Sequence, residues 1–167
     1  HQGEKIKNYL GNAYKGRKVG YVVQENLNGT GSAILLTKSY FKPGERFLIF
    51  YGDELFSKKD VEDCLAHEFS WLCWEVVDPR ASGIAVISTN GLITAVVEKP
   101  KHPKSNLGVG GLMEVNADIF GYTPDRHETG EYYLTSMMNK FVKSHNVRAV
   151  IGANRPSFST PEDLDKK

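Results

Sequence analysis

Three places in this 167-residue chain put chemically capable side chains at the ends of apolar runs. Gln24 follows residues 19–23 and stands ahead of the turn Gly29-Thr30-Gly31-Ser32. Asp53 follows Phe47-Leu48-Ile49-Phe50-Tyr51 and Gly52, and Glu98-Lys99 closes residues 92–97 ahead of Pro100. A glutamine amide can read a donor and an acceptor on one edge of a base. Backbone N–H groups of a glycine-rich turn at a helix start can approach an anion closely. A carboxylate such as Asp53 can hold Mg²⁺ against phosphates, and an ammonium such as Lys99 can hold a phosphate directly. The same residues also suit plainer duties. Asp53 could cap a turn, the glycines could only relieve backbone strain, and Glu98-Lys99 could be a solvated strand end.

The elements that must position these groups follow from apolar spacing. Ile6, Tyr9, Leu10 and Ala13 recur at helical intervals over residues 4–14, and Gly11 and Gly16 stop the run. Residues 19–23 read as a short strand, and a helix follows over 33–40 with Thr30 as its cap. Residues 47–51 are continuously apolar between turn signals, which predicts a strand buried on both faces as in a parallel sheet. Ser57 caps a helix through residue 69, residues 71–77 form a strand, and 83–88 and 92–98 flank the hairpin signal Thr89-Asn90-Gly91. Residues 108–115 read as a glycine-rich strand, 131–145 as a helix and 146–151 as a strand. Alternating strands and helices predict an α/β fold, a mixed and mostly parallel sheet flanked by helices, in a single domain over residues 1–167.

Composition sets limits on function. Hydrophobic residues are 40% and charged residues 25% of the chain, an ordinary globular balance. A net charge of +1 with no basic block gives no reason to expect nucleic acid. No apolar run approaches the roughly 20 residues of a membrane span, and no signal-peptide layout appears, so a cytoplasmic protein is expected. The two cysteines, Cys64 and Cys73, are expected to be buried thiols, and no His/Cys/Asp cluster has zinc-like spacing.

Taken in order, several stretches resemble the sugar-1-phosphate nucleotidyltransferases, the family of glucose-1-phosphate thymidylyl-, uridylyl- and cytidylyltransferases and mannose-1-phosphate guanylyltransferases. They are Tyr21-Val22-Val23-Gln24-Glu25-Asn26 with Gly29-Thr30-Gly31-Ser32-Ala33, then Phe50-Tyr51-Gly52-Asp53 and Val97-Glu98-Lys99-Pro100. Pro103-Lys104-Ser105-Asn106, Gly110-Gly111-Leu112, Gly130-Glu131-Tyr132-Tyr133-Leu134-Thr135 and Thr160-Pro161-Glu162-Asp163-Leu164 complete the series. The resemblance implies a Rossmann-like fold of the nucleotide-diphospho-sugar transferase type. It implies that Gln24, Gly29 and Thr30 meet the nucleotide, and that Asp53 binds Mg²⁺ on its phosphates. It implies that Gly83 and Glu98 face the sugar, that Lys99 meets the sugar phosphate, and that Gly110 and Gly111 line the same pocket. The partners would be an NTP and a sugar 1-phosphate. Asp53 and Lys99 would carry the catalysis, by positioning and charge neutralisation as the sugar phosphate attacks the α-phosphate and pyrophosphate leaves.

Three departures accompany the resemblance. The family opens with a strand and a glycine-rich loop, roughly G-x-G-x-R, and the match begins after the place where they end, so an N-terminally incomplete domain is expected. Such a domain would leave a sheet edge or core face open, which favours a homo-oligomer. Ser157 stands where a second metal carboxylate is usual, and Ser136 stands where an Asp often follows the threonine. This chain alone is therefore not expected to be competent. Two readings follow, an enzyme of nucleotidyl transfer and a non-catalytic nucleotide- or sugar-phosphate-binding relative that acts as a regulatory partner. A glycosyltransferase of similar architecture is the weaker third, because Asp53-Glu54-Leu55 supplies no D-x-D.

Overall fold

The computed structural model of the chain describes residues 2–153. It begins with helix α1 (Gly3–Leu10) and a two-stranded hairpin of β1 (Ala13–Tyr14) and β2 (Arg17–Lys18). After a long irregular stretch come α2 (Thr30–Leu35), a 3-10 turn at Lys38–Tyr40, and β3 (Arg46–Phe50). Next are α3 (Lys58–Leu65), β4 (Phe69–Glu75), β5 (Gly83–Ile87), β6 (Ile93–Glu98) and β7 (Leu107–Asn116). A second 3-10 turn at Ala117–Gly121 leads to α4 (Leu134–Phe141) and β8 (Val147–Ile151).

Among the described residues the main sheet has six strands, and the longest, β7, organises it. Along one edge β7 pairs with β4, which in turn pairs in parallel with β8. Its other edge is shared end to end by two strands. β5 meets it at Ile84↔Gly108, and β3 meets it from Phe50↔Leu112 to Arg46↔Asn116. Residues 109–111 of β7 lie in the gap between them. β3, β4, β5 and β8 run one way, while β7 and β6 run the other. The sheet is thus mixed, with most strands sharing one direction, although β4 with β8 is the parallel ladder among the described residues.

Helices cover both faces. On one, α2 and α4 pack over Trp71, Ile93, Val96, Met113, Val115 and Val147, with Met137 and Phe141 inserted from α4. On the other, α3 brings Cys64 onto Leu72, Leu112 and Val150. Each fully buried large side chain of this kind contributes about 1.5–3 kcal/mol through area removed from water. α3 starts where the sequence places it, on a capping box in which the Ser57 hydroxyl accepts from Asp60 N–H and the Asp60 carboxylate accepts from Ser57 N–H. Cys64 and Cys73 are buried and free, and burial pushes both thiols up. No helix among the described residues is long and apolar enough to cross a membrane.

Four local expectations are corrected. Residues 19–23 form no strand: a strand exists by pairing its N–H and C=O groups, and among the described residues nothing pairs with 20–23. Val22 and Val23 stand exposed. β3 is only half-buried and pairs with β7 antiparallel, so its continuous apolar run reflects an environment other than the interior of a parallel ladder. The helices are shorter than their periodicity suggests, with α1 ending at Leu10, α3 at Leu65 and α4 at Phe141. Finally, Thr30 does not cap its own helix. α2 has Gly29 at its N-cap with no side-chain cap, and the Thr30 hydroxyl instead accepts from Leu134 N–H at 2.9 Å, capping α4 across the fold.

Candidate functional site

The gap in the edge of β7 opens into a cavity of about 220 Å³ whose walls include Thr30, Tyr51, Gly83, Glu98, Gly110 and Thr135. Four of these six are residues singled out from the sequence. β5 and β6 deliver Gly83 and Glu98 side by side, because the hairpin register pairs Gly83 with Glu98. β7 delivers Gly110, and the end of β3 delivers Tyr51, whose N–H donates to Gly111 C=O at 2.8 Å. α4 delivers Thr135 from its first turn.

Glu98 is oriented from two sides. Thr135 Oγ1 donates to Glu98 Oε2 at 2.7 Å, and that oxygen lies 3.2 Å from where a Cβ on Gly83 would stand. A side chain at Gly83 would also meet Thr135 Cγ2 and Val109 at 2.9 Å, so the glycine keeps the carboxylate in reach of the cavity. Lys99 is next, with backbone N–H bonded to Ser82 C=O at 3.0 Å and a left-handed φ of 41°. That conformation costs a non-glycine residue about 1–2 kcal/mol and is kept only where surroundings enforce it. It turns Lys99 towards Tyr133, whose hydroxyl accepts from Lys99 Nζ at 3.1 Å, and this bond holds the ammonium above its ordinary range.

The Gly29-Thr30-Gly31 turn is clamped against the start of α4. Tyr132 N–H donates to Asn28 C=O and Gly31 N–H donates to Tyr132 C=O, both at 2.8 Å. Gly29 has φ 117° and ψ 165°, a region open essentially to glycine alone, and a Cβ there would fall 2.5 Å from Tyr132 O. Gln24 bonds into the same turn through Nε2, to Asn28 Oδ1 and Gly29 C=O at 3.1 Å each. Those two acceptors match the amide's two hydrogens, so the amide's donor capacity is used within the turn.

Asp53 lies outside the cavity. It stands exposed on the rim of an open, mainly apolar groove of about 740 Å³ beside it, bounded by β3 on one side and residues 20–22 on the other. Thr30 and Tyr51 line both spaces and form the wall between them. Tyr51 shares a hydrogen bond with Thr30, and burial pushes its hydroxyl up to about 12. The arrangement separates a small cavity carrying Glu98 from a larger groove carrying Asp53, with Lys99 beside the first.

One position differs from the sequence reading. Gly110 lines the cavity but Gly111 stands one step behind it. Its missing side chain is replaced by the Tyr51 ring, as that of Gly110 is by Trp74, and its N–H donates to the Glu54 carboxylate at 2.8 Å. Burial raises the Glu54 pKa, and Asp53 adds to the rise. Ser136 bonds locally, accepting from Asp125 N–H at 2.9 Å and donating to Tyr133 C=O at 2.8 Å. Ser157 lies outside the described residues.

Tyr51, Glu54, Tyr133 and Thr135 receive no role from the sequence alone. Tyr133 and Thr135 fall inside a stretch that carries the resemblance, but their partners are 34 and 37 residues away. Only the three-dimensional pairing reveals them.

The fold and site together define an α/β domain with a cavity that opens at a break in a mixed sheet. The family model described as Nucleotidyl transferase matches residues 1–153, and the chain belongs to that family, the sugar-1-phosphate nucleotidyltransferases. It is 30% identical over 152 residues to the bifunctional protein GlmU of Methanocaldococcus jannaschii, covering 90% of this chain and 36% of that protein. It is 32% identical over 139 residues to a bifunctional sugar-1-phosphate nucleotidylyltransferase/acetyltransferase of Sulfurisphaera tokodaii, covering 80% and 34%. A crystal structure from Bacillus anthracis, named for glucose-1-phosphate thymidylyltransferase activity and determined with sucrose, superimposes with a TM-score of 0.79. The two share 25% identity, and the match covers 98% of this chain and 70% of that one. The chain thus spans about a third of the length of these two curated relatives.

Proposed function

We propose that this domain takes part in transfer of a nucleotidyl group from an NTP to a sugar 1-phosphate, giving an NDP-sugar and pyrophosphate. The observation that carries the reading is the placement of Glu98 in one cavity, with Lys99 bonded to the cavity-lining Tyr133, and of Asp53 on the adjoining groove, with Thr30 and Tyr51 between the two spaces. Glu98 would accept hydrogen bonds from sugar hydroxyls, as a carboxylate fixed by Thr135 is suited to do. Lys99 would meet the sugar phosphate. Gln24 and the Gly29-Thr30 turn would read the base, the glutamine through its carbonyl.

Mg²⁺ fits this arrangement at Asp53. The ion takes one or two protein carboxylates with phosphate and water oxygens for the rest, and Asp53 is exposed where phosphates entering the groove would lie. When bound, the ion would neutralise charge on the nucleotide phosphates. The protein's own share is positioning: the cavity and groove hold the two substrates on either side of the Thr30–Tyr51 wall, and Lys99 offsets the charge of the attacking phosphate.

The second reading is a regulatory or partner subunit that binds these ligands without turnover. Ser157 at a position where the family usually has a carboxylate favours it. Calorimetric titration with dTTP, UTP, GTP and CTP in Mg²⁺ tests the nucleotide half of both readings. Binding of one NTP that Asp53→Ala removes supports the placement of the phosphates. Affinity unchanged by that substitution in the presence of Mg²⁺ would sink it. Turnover assayed in the full-length protein separates enzyme from partner.

A further inference from the structure

We propose that Tyr133, held by Glu131, is a positioning residue for Lys99, fixing where its ammonium stands beside the cavity that Tyr133 and Glu98 line. The inference rests on the reading of that cavity as a sugar-phosphate site. A lysine is a point charge on a flexible four-carbon stem, so its place must be set from outside. Here it is set at both ends. The backbone is turned by φ 41°, and the tip is bonded to the Tyr133 hydroxyl at 3.1 Å and lies 4.8 Å from the Tyr133 ring centroid.

Tyr133 is fixed in turn. Its hydroxyl donates to Glu131 Oε2 in a short hydrogen bond, and Thr129 Oγ1 lies 3.3 Å from the Tyr133 hydroxyl oxygen. With its O–H directed at Glu131, the phenol oxygen presents a lone pair to the ammonium. The other carboxylate facing Lys99, Glu98, is 4.0 Å from Nζ and is itself engaged by Thr135. Lys99 is therefore steered by a neutral hydroxyl and not locked in a close ion pair, which leaves its charge available to an arriving phosphate. Residues 131–135 serve as one template: Tyr133 sets Lys99, Thr135 sets Glu98, and Leu134 N–H ties Thr30 to the same strip.

The test is a double-mutant cycle read by calorimetric titration of the chain with glucose 1-phosphate and mannose 1-phosphate. Tyr133→Phe keeps the ring and removes the hydroxyl, and it is expected to weaken the bound sugar phosphate by roughly five- to tenfold. In a Lys99→Met background the same change is expected to have no further effect, because the two residues act through one contact. Glu131→Gln should fall between wild type and Tyr133→Phe. Thermal melting shows whether each variant is folded. A folded Tyr133→Phe with wild-type affinity overturns the proposal, and so does an equal loss with or without Lys99, since Tyr133 would then act through the ligand or the fold. Wild-type binding that Lys99→Met leaves intact overturns the role of Lys99 itself. No binding by the wild type overturns the sugar-phosphate reading and this inference with it.

Discussion

The Thr135 hydroxyl and the Glu98 carboxylate meet at 2.7 Å, joining the first turn of α4 to the end of β6 across the cavity. Thr135 is buried, and the Glu98 side chain is only 16% exposed, so neither group can readily replace the other with water. A carboxylate in that setting keeps one fixed orientation at the wall of the cavity.

Thr135→Val removes the donor at nearly constant volume. Hydrogen bonds to charged groups contribute about 1.5–3 kcal/mol, so sugar phosphate affinity should fall at least about tenfold. Stability to urea should fall by roughly 1–2 kcal/mol. Thr135→Ser restores the hydroxyl and should recover most of the binding.

Gly29→Ala tests the clamp between the glycine turn and α4. The conformation is open essentially to glycine, and the new Cβ would fall 2.5 Å from Tyr132 O. Strain and clash together should cost more than about 2 kcal/mol, read as a lowered urea midpoint. A variant as stable as wild type would show that Tyr132 can move away, and that the clamp is loose.

Ser57→Ala addresses a feature remote from the cavity. Loss of the capping box on α3 should cost about 1 kcal/mol of stability without changing the affinity for any ligand. It serves as the reference against which losses at Thr135 and Gly29 are separated from general destabilisation.

Alkaline pH should weaken the fold through Tyr51. Its hydroxyl is pushed up to about 12 by burial, against an ordinary value of 10.0. The folded state therefore holds this proton between pH 10 and 12 while the unfolded state releases it. The stability tied to the neutral phenol is full below pH 10 and is lost as pH rises through 12, by roughly 3 kcal/mol in all. Urea denaturation between pH 8 and 11 should show a steeper decline for wild type than for Tyr51→Phe. Parallel curves would mean that Tyr51 ionises in the fold as readily as in water.

How far the sequence reveals this site differs between its parts. The hairpin that carries Gly83 and Glu98 is legible because Asn90-Gly91 encodes its turn locally, with Gly91 at φ 75°. The start of α3 is legible for a similar reason, since Ser57 and Asp60 are three residues apart. Thr30 is misread as a local cap because its actual partner, Leu134, is 104 residues away. The run 19–23 has the composition of a strand, but composition cannot supply a neighbour to pair with. The break in the edge of β7 is likewise invisible in the sequence, because it depends on where β3 stops and β5 starts against one long strand. That break is what makes the cavity.

The most direct test of that cavity as a sugar-phosphate site is titration of the chain and of Glu98→Gln with glucose 1-phosphate and mannose 1-phosphate. The prediction is one saturable site for at least one of the two, weakened about tenfold or more by Glu98→Gln while Ser57→Ala binds as wild type does. Binding that Glu98→Gln leaves unchanged would place the ligand elsewhere, and no binding of either by the folded chain would contradict the account.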